Sequence, residues 1–446
     1  MTLACVRAAG VGCQADQMPA APLRRAGTAD VVALGLAATM STGVFVVFTP
    51  SAAAAGGWLL VAVLVAGLVA VCNAFSGMRL ARRCPGADAG YQHCQELLGR
   101  CGGRLAGVTF VASRVTAASA AGGVFARYVL PSHPLCVAVP VIVVVGVLTA
   151  AGVGWTSRGA RVFVAVLLGA LVVVVVVGLA GHSAAGELPM INSALRPPDR
   201  VSVWGVGTAA AVVFFAFTGS ALGAVAFDFA RVPRAALVRA VLATLLVTLV
   251  GYLAVGAALL RALGLTGLVT EPTPLVAAVG GDSVSWLGVV VRTVAAAATV
   301  SALLMVLGTA GATASAMARR GDLPSWAARM GARGTPWRAE LAATGLAGLA
   351  AVLAGPVASV MVSACCGLLH HTLVNLAALR LPAPPLHWPV WPSMLGVPLC
   401  LTLAGLLPGI QLWVSVAVVA LGTALSTVVA RRGGARRSAL RVAWPR

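Results

Sequence analysis

The chain has 446 residues, of which 60% are hydrophobic and only 9% charged, with a formal net charge of +20. A soluble chain carries roughly 25% charged residues, so the composition excludes an ordinary soluble domain and predicts a polytopic membrane protein. All 31 basic residues are arginine, strung along short loops rather than gathered on one face, which argues against a nucleic-acid partner; the absence of lysine reads as the codon bias of a high-GC genome.

In chain order, residues 1–30 form a tail without the apolar core and cleavage site of a signal peptide, so the first span is expected to act as its own membrane signal. About 20 apolar residues cross roughly 30 Å of hydrocarbon. Twelve such runs are predicted, at about 31–53, 58–77, 105–130, 135–154, 162–181, 203–227, 240–260, 285–316, 341–355, 357–379, 391–408 and 411–430. The transmembrane domain therefore covers 31–430, followed by a basic tail, 431–446, that would attract anionic lipid. With both termini in the cytoplasm, 25 arginines fall on the inner side and four, Arg127, Arg196, Arg200 and Arg261, on the outer side or its rims. That asymmetry follows the positive-inside rule and predicts a bacterial cytoplasmic-membrane protein with both ends inside.

The ten cysteines do not make a disulfide framework. Cys72, Cys136, Cys365, Cys366 and Cys400 fall in or beside apolar spans, where Cys acts as a small hydrophobe. His93, Cys94 and Cys101 share a predicted loop but lack the paired spacing of a zinc site. No metal or other cofactor is expected. No zinc-type His/Glu motif, nucleophile elbow or phosphate loop is present either, so an enzyme is not expected.

Two segments interrupt otherwise apolar spans. In the first span, Thr39-Met40-Ser41-Thr42-Gly43-Val44-Phe45 places small and hydroxylated residues at mid-membrane; in the sixth, Thr218-Gly219-Ser220 does the same. Backbone freed from helical bonding costs several kcal/mol per group in lipid unless it lines a cavity or meets a ligand. Transporters use paired breaks of this kind to hold substrate near the bilayer midplane. A packing kink is the structural alternative.

Several stretches, in order, resemble the amino acid–polyamine–organocation superfamily of permeases. Gly35 to Phe45 looks like that family's broken first helix. Leu80-Ala81-Arg82-Arg83-Cys84-Pro85-Gly86-Ala87-Asp88-Ala89-Gly90-Tyr91, after Cys72-Asn73-Ala74, is similar to its second-helix loop. Phe214-Phe215-Ala216-Phe217-Thr218-Gly219 resembles the broken sixth helix, and Asp228 to Arg239 the segment after it. Met317-Ala318-Arg319-Arg320-Gly321-Asp322-Leu323-Pro324 and Asn375-Leu376-Ala377-Ala378-Leu379-Arg380 are similar to the ends of the eighth and tenth helices. The resemblance implies two inverted repeats of five helices, with helices 1 and 6 broken, plus two C-terminal helices. It places the substrate between helices 1, 3, 6, 8 and 10. Ser41 stands where the family often has Gly, Ser220 and Leu222 where larger or polar groups are common, Phe229 in place of an acid and Val238 in place of a Pro. A buried lysine of the fifth helix, found in some proton-coupled members, is absent.

On this reading the chain is a secondary permease for a small amino acid or related amine, working by alternating access. The backbone at Thr42 and Gly43, with the Thr42 hydroxyl, would hold the substrate carboxylate, because a half-helix N-terminus offers unpaired N–H groups and partial positive charge. Ser41, Gly219 and Ser220 line the breaks. Matching the family pattern gives the carbonyls of Thr39, Phe215 and Thr218 to the ammonium. No acid stands in the sixth-helix break to receive a cationic side chain, which favours a neutral, small or apolar amino acid. Arg114, inside the third span, has three readings: a partner for a substrate carboxylate, a structural donor to carbonyls, or a snorkelling side chain. His370 and His371 in the tenth span stand where relatives often carry aromatic residues. They are either ring-for-ring replacements or a proton relay, with at most one facing the pathway because adjacent helical residues point about 100° apart. All eleven acids, including Asp322 and Glu340, are expected in loops, tails or span ends. Protons are thus one candidate coupling ion; an exchanger without proton coupling, and a non-transporting sensor or scaffold on the same fold, are the rival readings.

Overall fold

The computed structural model describes residues 28–81, 89–154, 156–180, 203–219, 234–280, 285–381 and 389–443. Every regular element among them is helical, and no strand occurs. The first predicted span divides into α1 (Thr28–Thr39), the single turn α2 (Gly43–Val46) and α3 (Phe48–Ala55). Then follow α4 (Leu59–Ala81), α5 (Ala89–Val129), α6 (Pro134–Ala150), α7 (Ser157–Ala180) and α8 (Val203–Phe217). The second half comprises α9 (Arg234–Thr270), α10 (Pro274–Ala277), α11 (Trp286–Arg319), α12 (Trp337–Leu353), α13 (Pro356–Leu379), α14 (Trp391–Gly405) and α15 (Gly409–Ala443).

Eight helical stretches are long and apolar enough to cross a membrane, and α6, α8 and α14 are shorter apolar helices. The chain is therefore an all-helical, multi-pass membrane protein. Three elements outrun their predicted spans. α5 and α9 each continue through a glycine with positive φ, Gly99 (81°) and Gly264 (66°), so a short flanking helix joins the apolar one across a kink. α15 carries on to Ala443 through the predicted basic tail, whose Arg and Ala residues are good helix formers. His93, Cys94 and Cys101, expected in a loop, belong to the lead-in of α5.

Burial follows lipid rather than water. Leu64 and Leu68 on α4, Val162 and Val166 on α7, and Leu421 and Leu425 on α15 recur at i, i+4 and are exposed, the pattern of a helix face turned to hydrocarbon. Inward faces are small: Ala62 and Ala66 on α4, Ala118 and Ala121 on α5, Ala209 to Ala211 on α8, and Ala295 and Ala298 on α11 are essentially inaccessible. Small side chains let helix backbones approach closely, the main source of association where no hydrophobic driving force separates helix from lipid. α5 runs through the middle, packed along both α13 and α11, while α8 lies against α4, α3 and α13. Cys72, Cys365, Cys366 and Cys400 are buried among these contacts as free thiols, as small hydrophobes would be.

Candidate substrate site at the break in the first span

α1 stops because its last residues offer the backbone competing partners. Thr39 Oγ1 donates back to the carbonyl of Gly35 at 3.0 Å and lies 3.0 Å from Thr248 Oγ1 of α9, a local pattern that competes with helix continuation. The last α1-type bond is Met40 N–H to Leu36 O, 2.9 Å; the chain resumes with Phe45 N–H to Thr42 O and Val47 N–H to Gly43 O. The N–H groups of Ser41, Thr42 and Gly43 are left without an acceptor among the described residues. All three residues are buried, and Thr42 Oγ1 is a buried hydroxyl with no partner.

α8 ends by the same device. Thr218 turns both its N–H (3.2 Å) and its hydroxyl (2.7 Å) onto the carbonyl of Phe215. The end of α8 then interlocks with the break between α1 and α2. A Cβ on Gly219 would lie 2.2 Å from the carbonyl oxygen of Ala38 and 2.9 Å from the nitrogen of Thr39; one on Gly43 would lie 2.5 Å from the Tyr252 hydroxyl and 2.7 Å from Ala216 Cβ. Backbone meets backbone here, which only a residue without Cβ permits.

Two of the expected carbonyls are already engaged: Thr39 O accepts from the Tyr252 hydroxyl at 3.3 Å, and Phe215 O accepts from Thr218. The N–H donors of Ser41 to Gly43 and the Thr42 hydroxyl, by contrast, have no partner among the described residues. Ser220, Leu222, Asp228 and Phe229 lie outside the described residues.

The wall opposite is built by α5 and α13. Ser113 Oγ donates to Ser363 O at 2.9 Å and Ser363 Oγ returns a bond to Ser113 O at 2.7 Å, tying the helices where Gly367 faces both Ser113 and Thr218. Four residues on, His371 meets Phe214 edge-on with centroids 5.7 Å apart. His370 lies 5.5 Å from it and is anchored through Nδ1 to Ala106 O, 3.0 Å. Its ring also neighbours Phe110 at 5.0 Å, over which the Arg114 guanidinium is centred at 5.2 Å. Arg114 is buried and enters no hydrogen bond or ion pair among the described residues. It is therefore neither snorkelling nor a donor to described carbonyls.

Two acids expected at span ends are interior. Asp322 is wholly buried and accepts from the Tyr91 hydroxyl at 2.7 Å, Arg104 Nε at 2.8 Å and Gln95 Nε2 at 3.5 Å; Gln95 Oε1 in turn accepts from Arg320. Glu340 packs against Gly311 with Oε2 buried and unpartnered. Sequence reasoning also passed over Thr248, Tyr252, Ser113 and Ser363. Their signal was available as polar side chains at helical spacing, Thr248 and Tyr252 on α9 and Ser359 and Ser363 on α13, inside apolar runs.

Residues 30–432 match the amino acid permease family model. The chain is also 34% identical over 359 residues to uncharacterized transporters of Mycobacterium tuberculosis and Mycobacterium bovis, an alignment that covers 80% of this chain and 80% of each relative. A helical membrane bundle in which the end of α8 meets the break between α1 and α2, matched along nearly its whole length, belongs to the amino acid permease family.

Proposed function

We propose that this transporter is a secondary permease that moves a small amino acid or related amine across the bacterial cytoplasmic membrane by alternating access. The observation that carries the reading is the meeting of the end of α8 with the break after α1. The N–H groups of Ser41, Thr42 and Gly43 and the Thr42 hydroxyl are buried there without a partner among the described residues, a cost that a carboxylate ligand would offset. Thr42, Gly43 and Ser41 hold the carboxylate. Gly219 and Ser220 line the break, and the ammonium goes to the carbonyl of Thr218, with Thr39 and Phe215 as acceptors shared with Tyr252 and Thr218. Twelve spans in a five-plus-five inverted repeat with two further helices, and both termini in the cytoplasm, complete the reading; the arginine asymmetry supports the orientation.

The test is uptake of labelled amino acids and amines into proteoliposomes, with and without an inward proton gradient. Thr42→Val removes the hydroxyl at nearly constant volume and is cleaner than a bulky residue at Gly43, which would collide with Ala216 and Tyr252. Saturable uptake that Thr42→Val weakens supports the permease. Uptake driven by the gradient indicates symport, and counter-flow without such a response indicates an exchanger. Gradient-driven uptake unchanged in a His370→Phe, His371→Phe double variant sinks a histidine relay. Binding without flux of any compound would favour a sensor.

A further inference from the structure

Arg114 is the least compensated charge in the described structure. It is 3% exposed, and its Nε is buried with no partner. A guanidinium at bilayer depth is costly, and the cation–π contact with Phe110 offsets only part of that cost. Buried charges are paired as a rule, yet no described carboxylate pairs with this one. Asp322 is bound to Arg104 and Asp30 to Arg161, and Glu340 lies against Gly311. The titratable groups within electrostatic reach of Arg114 are His370 and His371, which are bases. His371 Nδ1 is itself buried and unpartnered, and His371 rests on Phe214, two residues before the Ala216 that Gly43 touches. A positive charge and an orphaned ring nitrogen thus stand on α5 and α13, linked through Phe110, His370 and His371 to Phe214 of α8, whose end meets the break that holds the α-carboxylate donors.

We infer that Arg114 is the counter-charge for a carboxylate on the substrate side chain, so that this permease takes dicarboxylic α-amino acids in place of the neutral ones expected from the sixth-helix segment alone. The inference rests on the reading of the breaks as an amino acid site, because the N–H groups of Ser41 to Gly43 already serve the α-carboxylate and leave Arg114 for a second anion. With Arg114 charged, a substrate bearing two carboxylates and one ammonium makes the loaded site neutral. A neutral amino acid would leave one uncompensated positive charge in the protein interior.

Glutamate and glutamine differ in charge at nearly equal size and make the test. In proteoliposomes the wild-type chain is expected to take up glutamate with kcat/KM at least tenfold above that for glutamine. Arg114→Gln should erase the preference chiefly through glutamate, and Arg114→Lys, which keeps the charge but loses the planar fork, should retain part of it. Thermal unfolding of each variant without substrate checks that the protein is folded. Equal or better uptake of glutamine by the wild type overturns the inference while leaving the permease reading intact. Equal loss of both substrates in Arg114→Gln overturns it too, since Arg114 would then serve the shared α-carboxylate. So does an Asp228→Asn variant that reproduces Arg114→Gln with no further loss in the double variant, which would make the counter-charge internal. If no amino acid is taken up, stabilisation of the solubilised protein by glutamate and not glutamine still supports the binding assignment; absence of both flux and stabilisation sinks the permease reading along with it.

Discussion

The α-carbon of Gly219 faces the carbonyl of Ala38 so closely that a methyl group there would sit 2.2 Å from the oxygen. Backbone cannot swing aside as the end of a side chain can, so the end of α8 and the break after α1 are held in fixed register by the missing Cβ. Gly219→Ala is therefore expected to destabilise the protein by about 1–3 kcal/mol, the usual cost of overpacking. Gly43→Ala, which meets Ala216 and the Tyr252 hydroxyl, should cost a similar amount. Thermal unfolding in detergent reads both, and an unchanged melting temperature for Gly219→Ala would mean the breaks are not in contact.

Thr42→Val should separate stability from function. A buried hydroxyl without a partner costs on the order of 1–3 kcal/mol, so its removal is expected to leave the empty protein as stable or more so. The same variant should raise KM for amino acids while leaving compounds without a carboxylate unaffected. A loss of stability would show that the hydroxyl is satisfied within the fold.

Tyr91 and Asp322, 231 positions apart, are joined by a 2.7 Å hydrogen bond and link the start of α5 to the segment that follows α11. Tyr91→Phe is expected to cost about 1.5–3 kcal/mol, the range for a bond to a charged group. Asp322→Ala should cost more, about 3–5 kcal/mol, because Arg104 loses its carboxylate in a largely buried setting. A double-mutant cycle on melting temperature should show coupling between the two; additive effects would count against a shared network.

Glu340 is the opposite case. Its side chain is buried and Oε2 has no partner among the described residues, so Glu340→Gln removes a charge penalty at constant shape and should raise the melting temperature. A lower melting temperature would reveal a partner for the charge. Gly311→Ala, whose Cβ would lie 2.2 Å from Glu340 Cγ, should destabilise.

Glu340 and Asp322 also mark the limit of one-dimensional reading. Hydropathy places both at span ends, and that placement along the helix is right. Whether such a residue faces solvent or a neighbour depends on helix rotation, which a window average does not contain. Arg114 shows the converse: its depth in the third span is legible from residue order, but its lack of a partner among the described residues depends on how α11 and α13 pack along α5.

The sequence by itself determined the membrane class, the positions of the long apolar helices and the break in the first span, because the free energy of apolar residues in lipid and of unpaired backbone at mid-membrane are local quantities. Only the tertiary structure decided that Gly219 meets Ala38, that Tyr91 meets Asp322, and that Thr39 and Phe215 carbonyls are taken by Tyr252 and Thr218. Those contacts join residues up to 231 positions apart, and close packing of small side chains, which carries no periodic signal, selects them.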